Sequence, residues 1–235
     1  MNISILKTDA VRPEWVATFG EYPDMFERLL TLVDPTLSFQ VWDVEQGALP
    51  PTTDGVDGFI ITGSKSSVYE DKPWIRQLED FVRRLHRERR KVVGICFGHQ
   101  LIAQALGGLV DKSPKGWGVG VHSYAITAPT LSADGQGEVL SLLASHQDQV
   151  MSAPVDAEVV AHSEHCPIAG FKIADHILTF QGHPEFIPEY SREIMHFRRS
   201  MIGDERVCAG MASLDAIEHQ GERVARWMLS FFGAQ

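Results

Sequence analysis

Cys96 lies between Gly94 and Gly98 in the stretch KVVGICFGHQLIAQALGG, residues 91–108. Val92, Val93 and Ile95 make a short β-branched run of the kind that forms a central parallel strand. After Gly98, the residues Leu101, Ile102, Ala105 and Leu106 recur at helical spacing, and Gly107 suits the C′ position that ends a helix. A cysteine at a strand-to-helix turn flanked by glycines has the geometry of a nucleophile elbow, with sulfur in place of a serine oxygen. Its thiol would sit at a helix N-terminus, where free N–H groups favour the thiolate. Such a nucleophile needs a base and a group that orients the base. Among 10 histidines the best placed is His183, in Gln181-Gly182-His183-Pro184-Glu185. It directly follows an apolar strand-like run, residues 177–180. Glu185, two positions on, can reach back and fix the imidazole tautomer. Acyl transfer also needs preorganised donors for an oxyanion. The N–H of Phe97, next after the nucleophile, supplies one, and the turn at Gly63 and Ser64 is expected to supply the second.

Other polar residues are candidates for binding. Gln100, in the first turn after the elbow, could contact a substrate, whereas His99 could cap or pack. Ser145, His146, Gln147 and Asp148 form a polar loop that could line the pocket. His162, His165 and Cys166 lie close together but match no complete set of metal ligands, so no metal is expected. Cys208 is expected to pack in or near C-terminal helices. Gly63-Ser64-Lys65-Ser66 resembles the end of a phosphate loop but lacks the glycine directly before lysine. The glycines at 116, 118 and 120 precede a strand instead of opening a helix. Neither supports nucleotide binding, and no cofactor is expected.

The elements that must position these residues follow from periodicity. Strands are predicted at residues 3–6, 37–44, 58–62 and 92–95, and helices at 22–33, from Pro73 onward, and after Cys96. The helix after Pro73 sets Trp74, Leu78, Phe81, Val82 and Leu85 on one side and ends in a basic run read as a solvated face. This β-α-β-β-α-β-α order implies a mostly parallel sheet covered by helices on both faces. Sites in such sheets lie beyond the carboxyl ends of strands, where Gly63 and Cys96 both fall. The second half is richer in β: strands at 119–127, 150–151, 157–161, 168–173 and 177–180, with a turn at Ala174 and Asp175. Residues 139–143 are apolar on a helical period, and helices are expected at 188–201 and 221–232. With no repeat or linker, residues 1–235 read as one domain.

Composition narrows the class. The 235 residues carry a net charge of −10, with the acidic excess spread along the chain, which argues against nucleic acid as a partner. A hydrophobic content of 44% suits a globular core. No apolar run is long enough to span a membrane, and the first residues do not read as a secretory signal. Three widely spaced cysteines suit a reduced, cytoplasmic protein.

The motifs GICFGHQ (94–100), SHQDQV (145–150) and GHPEF (182–186), in that order, resemble the class I glutamine amidotransferase family. The resemblance spans roughly residues 58–186. It implies a flavodoxin-like core, a triad of Cys96, His183 and Glu185, and glutamine contacts from Gln100 and from residues 145–148. Many members carry Ser-Gly-Gly-Pro at the oxyanion strand end, including the amidotransferase part of GMP synthetases. This chain has Thr62-Gly63-Ser64-Lys65 there, and with Pro73-Trp74-Ile75 it is more similar to stand-alone members such as plant γ-glutamyl peptidases. The stretch after Glu185 is too short for an ATP-using synthetase domain. The expected activity is hydrolysis of the γ-amide of glutamine or of a γ-glutamyl compound. The rival readings are an amidotransferase subunit that passes ammonia to a synthetase partner, and a binding or regulatory protein that keeps the fold.

Overall fold

The computed structural model describes residues 1–127 and 139–233. The first part of the chain runs β1 (Asn2–Lys7), α1 (Pro13–Phe19), α2 (Tyr22–Thr31), β2 (Ser38–Asp43), β3 (Gly58–Ile61), α3 (Pro73–Arg87), β4 (Val92–Ile95) and α4 (Phe97–Ala105). The second part runs β5 (Leu109–Lys112), β6 (Gly118–Ile126), β7 (Val139–His146), β8 (Asp148–Ser152), β9 (Ala157–His162), β10 (Gly170–Ile173), β11 (Ile177–Phe180), α5 (Pro188–Phe197), α6 (Arg199–Ile202), α7 (Asp204–Ala216) and α8 (Gly221–Phe232). Among the described residues, nine strands form one sheet in the order β2-β1-β3-β4-β11-β10-β9-β6-β7, and β5 pairs with β8 in a second. From β2 to β11 every pairing is parallel. From β11 to β7 every pairing is antiparallel. The expected α/β fold with a β-rich second half is therefore present, and β11 is the seam between its halves.

Alternation along the parallel strands builds two cores. Ile5, Ile60, Val93 and Ile95 face α2 and α8, with Phe26, Leu30, Val224 and Met228. Leu6, Phe59, Ile61 and Val92 face α3 and α4, with Leu78, Val82, Leu101 and Ile102. Two-sided cover makes these strands continuous apolar runs. A third core joins Val119, Val121 and Leu143 to Tyr190, Ile194 and Val207 of α5 and α7.

Four points differ from expectation. Residues 139–143, read as helical, form the start of β7. Leu140 and Leu142 enter the first core while Leu143 enters the third, so burial on both faces erases the strand's alternation. The helix expected at 188–201 is two, α5 and α6, divided at Arg198 (φ −92°, ψ 9°). Helices α1 and α7 went unpredicted, because α1 buries only Phe19 and α7 only Val207, Gly210 and Leu214. Cys208 lies on α7 and is exposed, not packed, since it falls off that narrow buried stripe. No helix among the described residues is long and apolar enough to cross a membrane.

Candidate active site

Cys96 is the hinge residue between β4 and α4, with φ 51° and ψ −100°. This left-handed region costs an L-residue roughly 1–2 kcal/mol. The surroundings enforce it. The Cys96 amide donates to the Phe180 carbonyl at 2.9 Å, and its own carbonyl accepts from Gln100 N at 3.0 Å. The flanking glycines answer to crowding, not to φ. A Cβ on Gly94 would lie 2.6 Å from both the Gly98 carbonyl oxygen and Ile102 Cδ1. One on Gly98 would strike the Ile61 carbonyl and lie 2.8 Å from Ile61 Cβ. Helix α4 therefore starts hard against the ends of β3 and β4, with Cys96 at its N-terminus.

His183 arrives along the seam. Phe180 of β11 pairs with Ile95 of β4, so Gln181 follows beside Cys96 and His183 comes two residues later. His183 N donates to the Leu143 carbonyl at 2.8 Å, which anchors the loop to β7. The ring stacks on Phe186 with centroids 3.9 Å apart and planes within 6°. Its Nδ1 is 2.8 Å from Glu185 Oε1, and the ring borders one cavity with Cys96. Both His183 and Glu185 are buried. Burial alone would depress the imidazole, but the Glu185 carboxylate and the Cys96 sulfur outweigh it and raise its pKa to about 10. Gln181, which the sequence reading passed over, touches the sulfur too: its Nε2 lies 3.5 Å from Cys96 Sγ. The signal was the parallel register, which sequence alone does not contain.

The turn after β3 is fixed from behind. Thr8 Oγ1 donates to the Gly63 carbonyl at 2.9 Å, and Thr8 N donates to Thr62 Oγ1 at 3.0 Å. Buried Asp9 accepts from Lys65 N at 2.7 Å and pairs with Lys65 Nζ. Since a trans peptide holds C=O and N–H on opposite sides, the Ser64 N–H points away from Thr8. Among the described residues, the backbone N–H groups of Gly63, Ser64 and Phe97 donate to no acceptor. A Cβ on Gly63 would lie 2.8 Å from His183 Cε1 and 3.7 Å from Cys96 Cβ, so this turn, His183 and Cys96 meet.

Two cavities open on Cys96. One, of about 20 Å³, lies beside His183 and includes Gly63, Ser64, Tyr22 and Arg198 in its walls. The other, of about 480 Å³, includes Gln100, Ser145, His146, Gln147 and Asp148. Gln100 reaches it only partly, because its Nε2 is donated to the Asp148 carbonyl (2.9 Å) and to Gln181 Oε1 (3.0 Å). Ser145 Oγ accepts from Arg198 Nη1 at 3.1 Å. His146 hydrogen-bonds the Asp148 carbonyl through Nδ1 and turns its ring toward His165. Burial depresses its pKa. The Gln147 carbonyl accepts from Ser113 N, and the Asp148 carboxylate accepts from Ser67 and Tyr69. His99 is wholly buried between Thr179 Oγ1 and the Ile168 carbonyl, where it packs, and burial pushes its pKa down to about 3. Among the described residues no cluster of three or more His, Cys, Asp or Glu could hold a metal.

Known proteins share this architecture and sequence. A glutamine amidotransferase from Methylobacillus flagellatus superposes with a TM-score of 0.74 over 100% of this chain and 96% of its own, at 22% identity. One from Thermotoga maritima gives 0.71 over 98% and 96%, at 17% identity. At those identities the likeness is one of fold. In sequence, γ-glutamyl peptidase 3 of Arabidopsis thaliana is 34% identical over 186 residues, covering 76% of this chain and 74% of that protein. The profile of the family described as glutamine amidotransferase class-I matches residues 31–201. With that match across most of the chain and around its elbow cysteine, the protein belongs to the class I glutamine amidotransferase family.

Proposed function

We propose that this chain hydrolyses the γ-amide of glutamine or of a γ-glutamyl compound, through a glutamyl thioester on Cys96. One observation carries the reading: the His183 ring is buried between Glu185 and Cys96, beside three backbone N–H groups with no acceptor. The raised pKa of His183 makes it a base for the proton of the Cys96 thiol. Its sulfur bonds to the γ-carbonyl carbon. The charge that develops on oxygen is received by Phe97 N–H and the Gly63–Ser64 turn, each such donor being worth about 3–4 kcal/mol of barrier. The carbon–nitrogen bond breaks as His183 gives its proton to the departing amine. Water then yields a proton to His183 and its oxygen bonds to the carbonyl carbon. The carbon–sulfur bond breaks, His183 returns the proton to sulfur and glutamate leaves. Glu185 keeps the ring oriented throughout. Gln100, Ser145, His146, Gln147 and Asp148 border the larger cavity, whose volume of about 480 Å³ has room for the rest of the glutamyl group and for a leaving group beside Arg198.

The test follows glutamate release from glutamine and from γ-glutamyl dipeptides by the wild type and by Cys96→Ala. Release by the wild type and none by the variant is expected. Absence of release from every substrate overturns the activity, and unchanged turnover by the variant removes Cys96 as nucleophile. Release from glutamine alone, stimulated by an added synthetase, would make the chain an amidotransferase subunit.

A further inference from the structure

Arg198 stands where the two cavities meet. It occupies the break between α5 and α6, and its side chain borders both the small space beside His183 and the large one beyond. Its Nη1 donates to Ser145 Oγ, and its guanidinium lies 5.8 Å from the centre of the Trp117 ring. Among the described residues it pairs with no carboxylate, although the chain carries 31 acidic residues against 21 basic ones. Two other cations border the larger cavity: the Lys65 ammonium is taken by buried Asp9, and Lys112 does not border the space beside His183. On the same cavity wall Phe197 and Met201 are exposed apolar side chains. An unpaired guanidinium braced by a hydroxyl and an aromatic face, beside exposed apolar surface, is built to receive a planar anion on an amphipathic ligand.

The chemistry says which anion. A general acid must stand beside the leaving nitrogen, so that nitrogen belongs on the His183 side of Cys96. The space there holds about one water or a bare amine, and anything attached to the nitrogen must turn past Arg198 into the larger cavity. In a γ-glutamyl amino acid the carboxylate of the leaving residue is two bonds from that nitrogen, with its oxygens about 3 Å away. The α-carboxylate of the glutamyl part is several bonds removed on the other side of the carbonyl. Resting on the hydrolytic reading above, we propose that Arg198 is a specificity residue that binds the carboxylate of the departing amino acid. The site thereby selects γ-glutamyl amino acids over glutamine and over γ-glutamyl amines. Trp117 and Ser145 are positioning residues that hold the guanidinium.

A matched pair of substrates isolates this contact. γ-Glutamyl-alanine and γ-glutamyl-ethylamide differ only in the carboxylate of the leaving group. We expect kcat/KM of the wild type to favour the alanine compound by roughly 10- to 100-fold, the range of a charge-assisted hydrogen-bonded contact. In Arg198→Gln the ratio should fall by that same factor, and in Arg198→Lys by less. The differing basicity of the two amines affects every variant alike, so the change in ratio reports Arg198 alone. A wild-type ratio near one overturns the assignment without any variant being made, and so does an unaltered ratio in Arg198→Gln or, if that variant fails to fold, in Arg198→Lys. Absence of glutamate release by the wild type from either compound and from glutamine overturns the hydrolytic reading itself.

Discussion

On the parallel side of β11 the site is made of backbone; on the antiparallel side it is made of side chains. Cys96, Phe97, Gly63 and Ser64 sit at strand ends where three glycines admit no Cβ without a contact of 2.8 Å or less. The groups offered there are amide N–H donors and a sulfur set by an unusual φ. Across the seam Ser145 is the last residue but one of β7, Trp117 precedes β6 and Arg198 sits in a helix break, each contributing a side chain with rotamers of its own. Transition-state stabilisation needs preorganised dipoles, which rigid backbone supplies without reorganisation. Selection among leaving groups needs adjustable surface. The seam strand joins the two, since it delivers His183 to Cys96 from the end of a strand that pairs with both halves.

The contrast breaks first at Cys96. Cys96→Ala should reduce turnover by about 10⁴-fold or more, with an unchanged circular dichroism spectrum. Cys96→Gly should be equally inactive yet more stable than Cys96→Ala in urea by about 1–2 kcal/mol, because glycine is at ease at φ 51°. If the alanine variant is the more stable, the elbow is not held under strain. A second cut compares one substitution from each side. Gly63→Ala puts a methyl 2.8 Å from His183 Cε1, and we expect a loss of about 100-fold in kcat from displacement of the base. Trp117→Ala leaves the backbone alone and should change kcat/KM by about 10-fold or less, mostly for substrates whose leaving group carries a carboxylate. Equal losses in kcat would abolish the division of labour.

The same contrast governs what the sequence disclosed. Gly94, Cys96 and Gly98 mark a backbone constraint only a few residues long, so their pattern is readable without a structure. His183 and Glu185 are legible for the same reason, being two positions apart in a stiff Pro-containing turn. Gln181 and Thr8 act through strand register and a long-range hydrogen bond to Gly63, and no local pattern records either. Arg198 was hidden by α5 and α6 reading as one helix. The strand at residues 139–146 was misread because burial on two faces removes the alternation that distinguishes it from a helix.

Charge offers a finer cut. The His183 pKa is raised to about 10 from an ordinary value of 6.5, because Glu185 and Cys96 outweigh the cost of burial. A group raised in this way stabilises the fold in full below about pH 6.5, and the contribution fades as pH climbs through 10. Glu185→Gln removes the main source of the raise. Its deficit in urea unfolding free energy should therefore be largest near pH 6, at about 3–5 kcal/mol for a broken buried pair, and should shrink toward pH 10. A deficit independent of pH would mean that Glu185 acts by packing alone.

The smallest effect concerns histidines that must stay neutral. His99, on the parallel side, is depressed to about 3 by complete burial, and His122, half-buried on β6, to about 4 by burial and by His165. Here the sign reverses. The unfolded chain takes up these protons near pH 6.5 while the folded protein refuses them, so stability present above pH 6.5 is lost as pH falls toward the depressed values. In His99→Gln, the amide can keep the bond to Thr179, and the slope of unfolding free energy against pH between 6 and 4 should become shallower by about one bound proton. In His122→Gln the change should have the same sign but be smaller, since that ring gives up less hydration on folding. Denaturant titrations of the three proteins at several pH values measure it. If His122→Gln flattened the slope more than His99→Gln, the antiparallel side would be the more tightly sealed of the two, against the division drawn from the site itself.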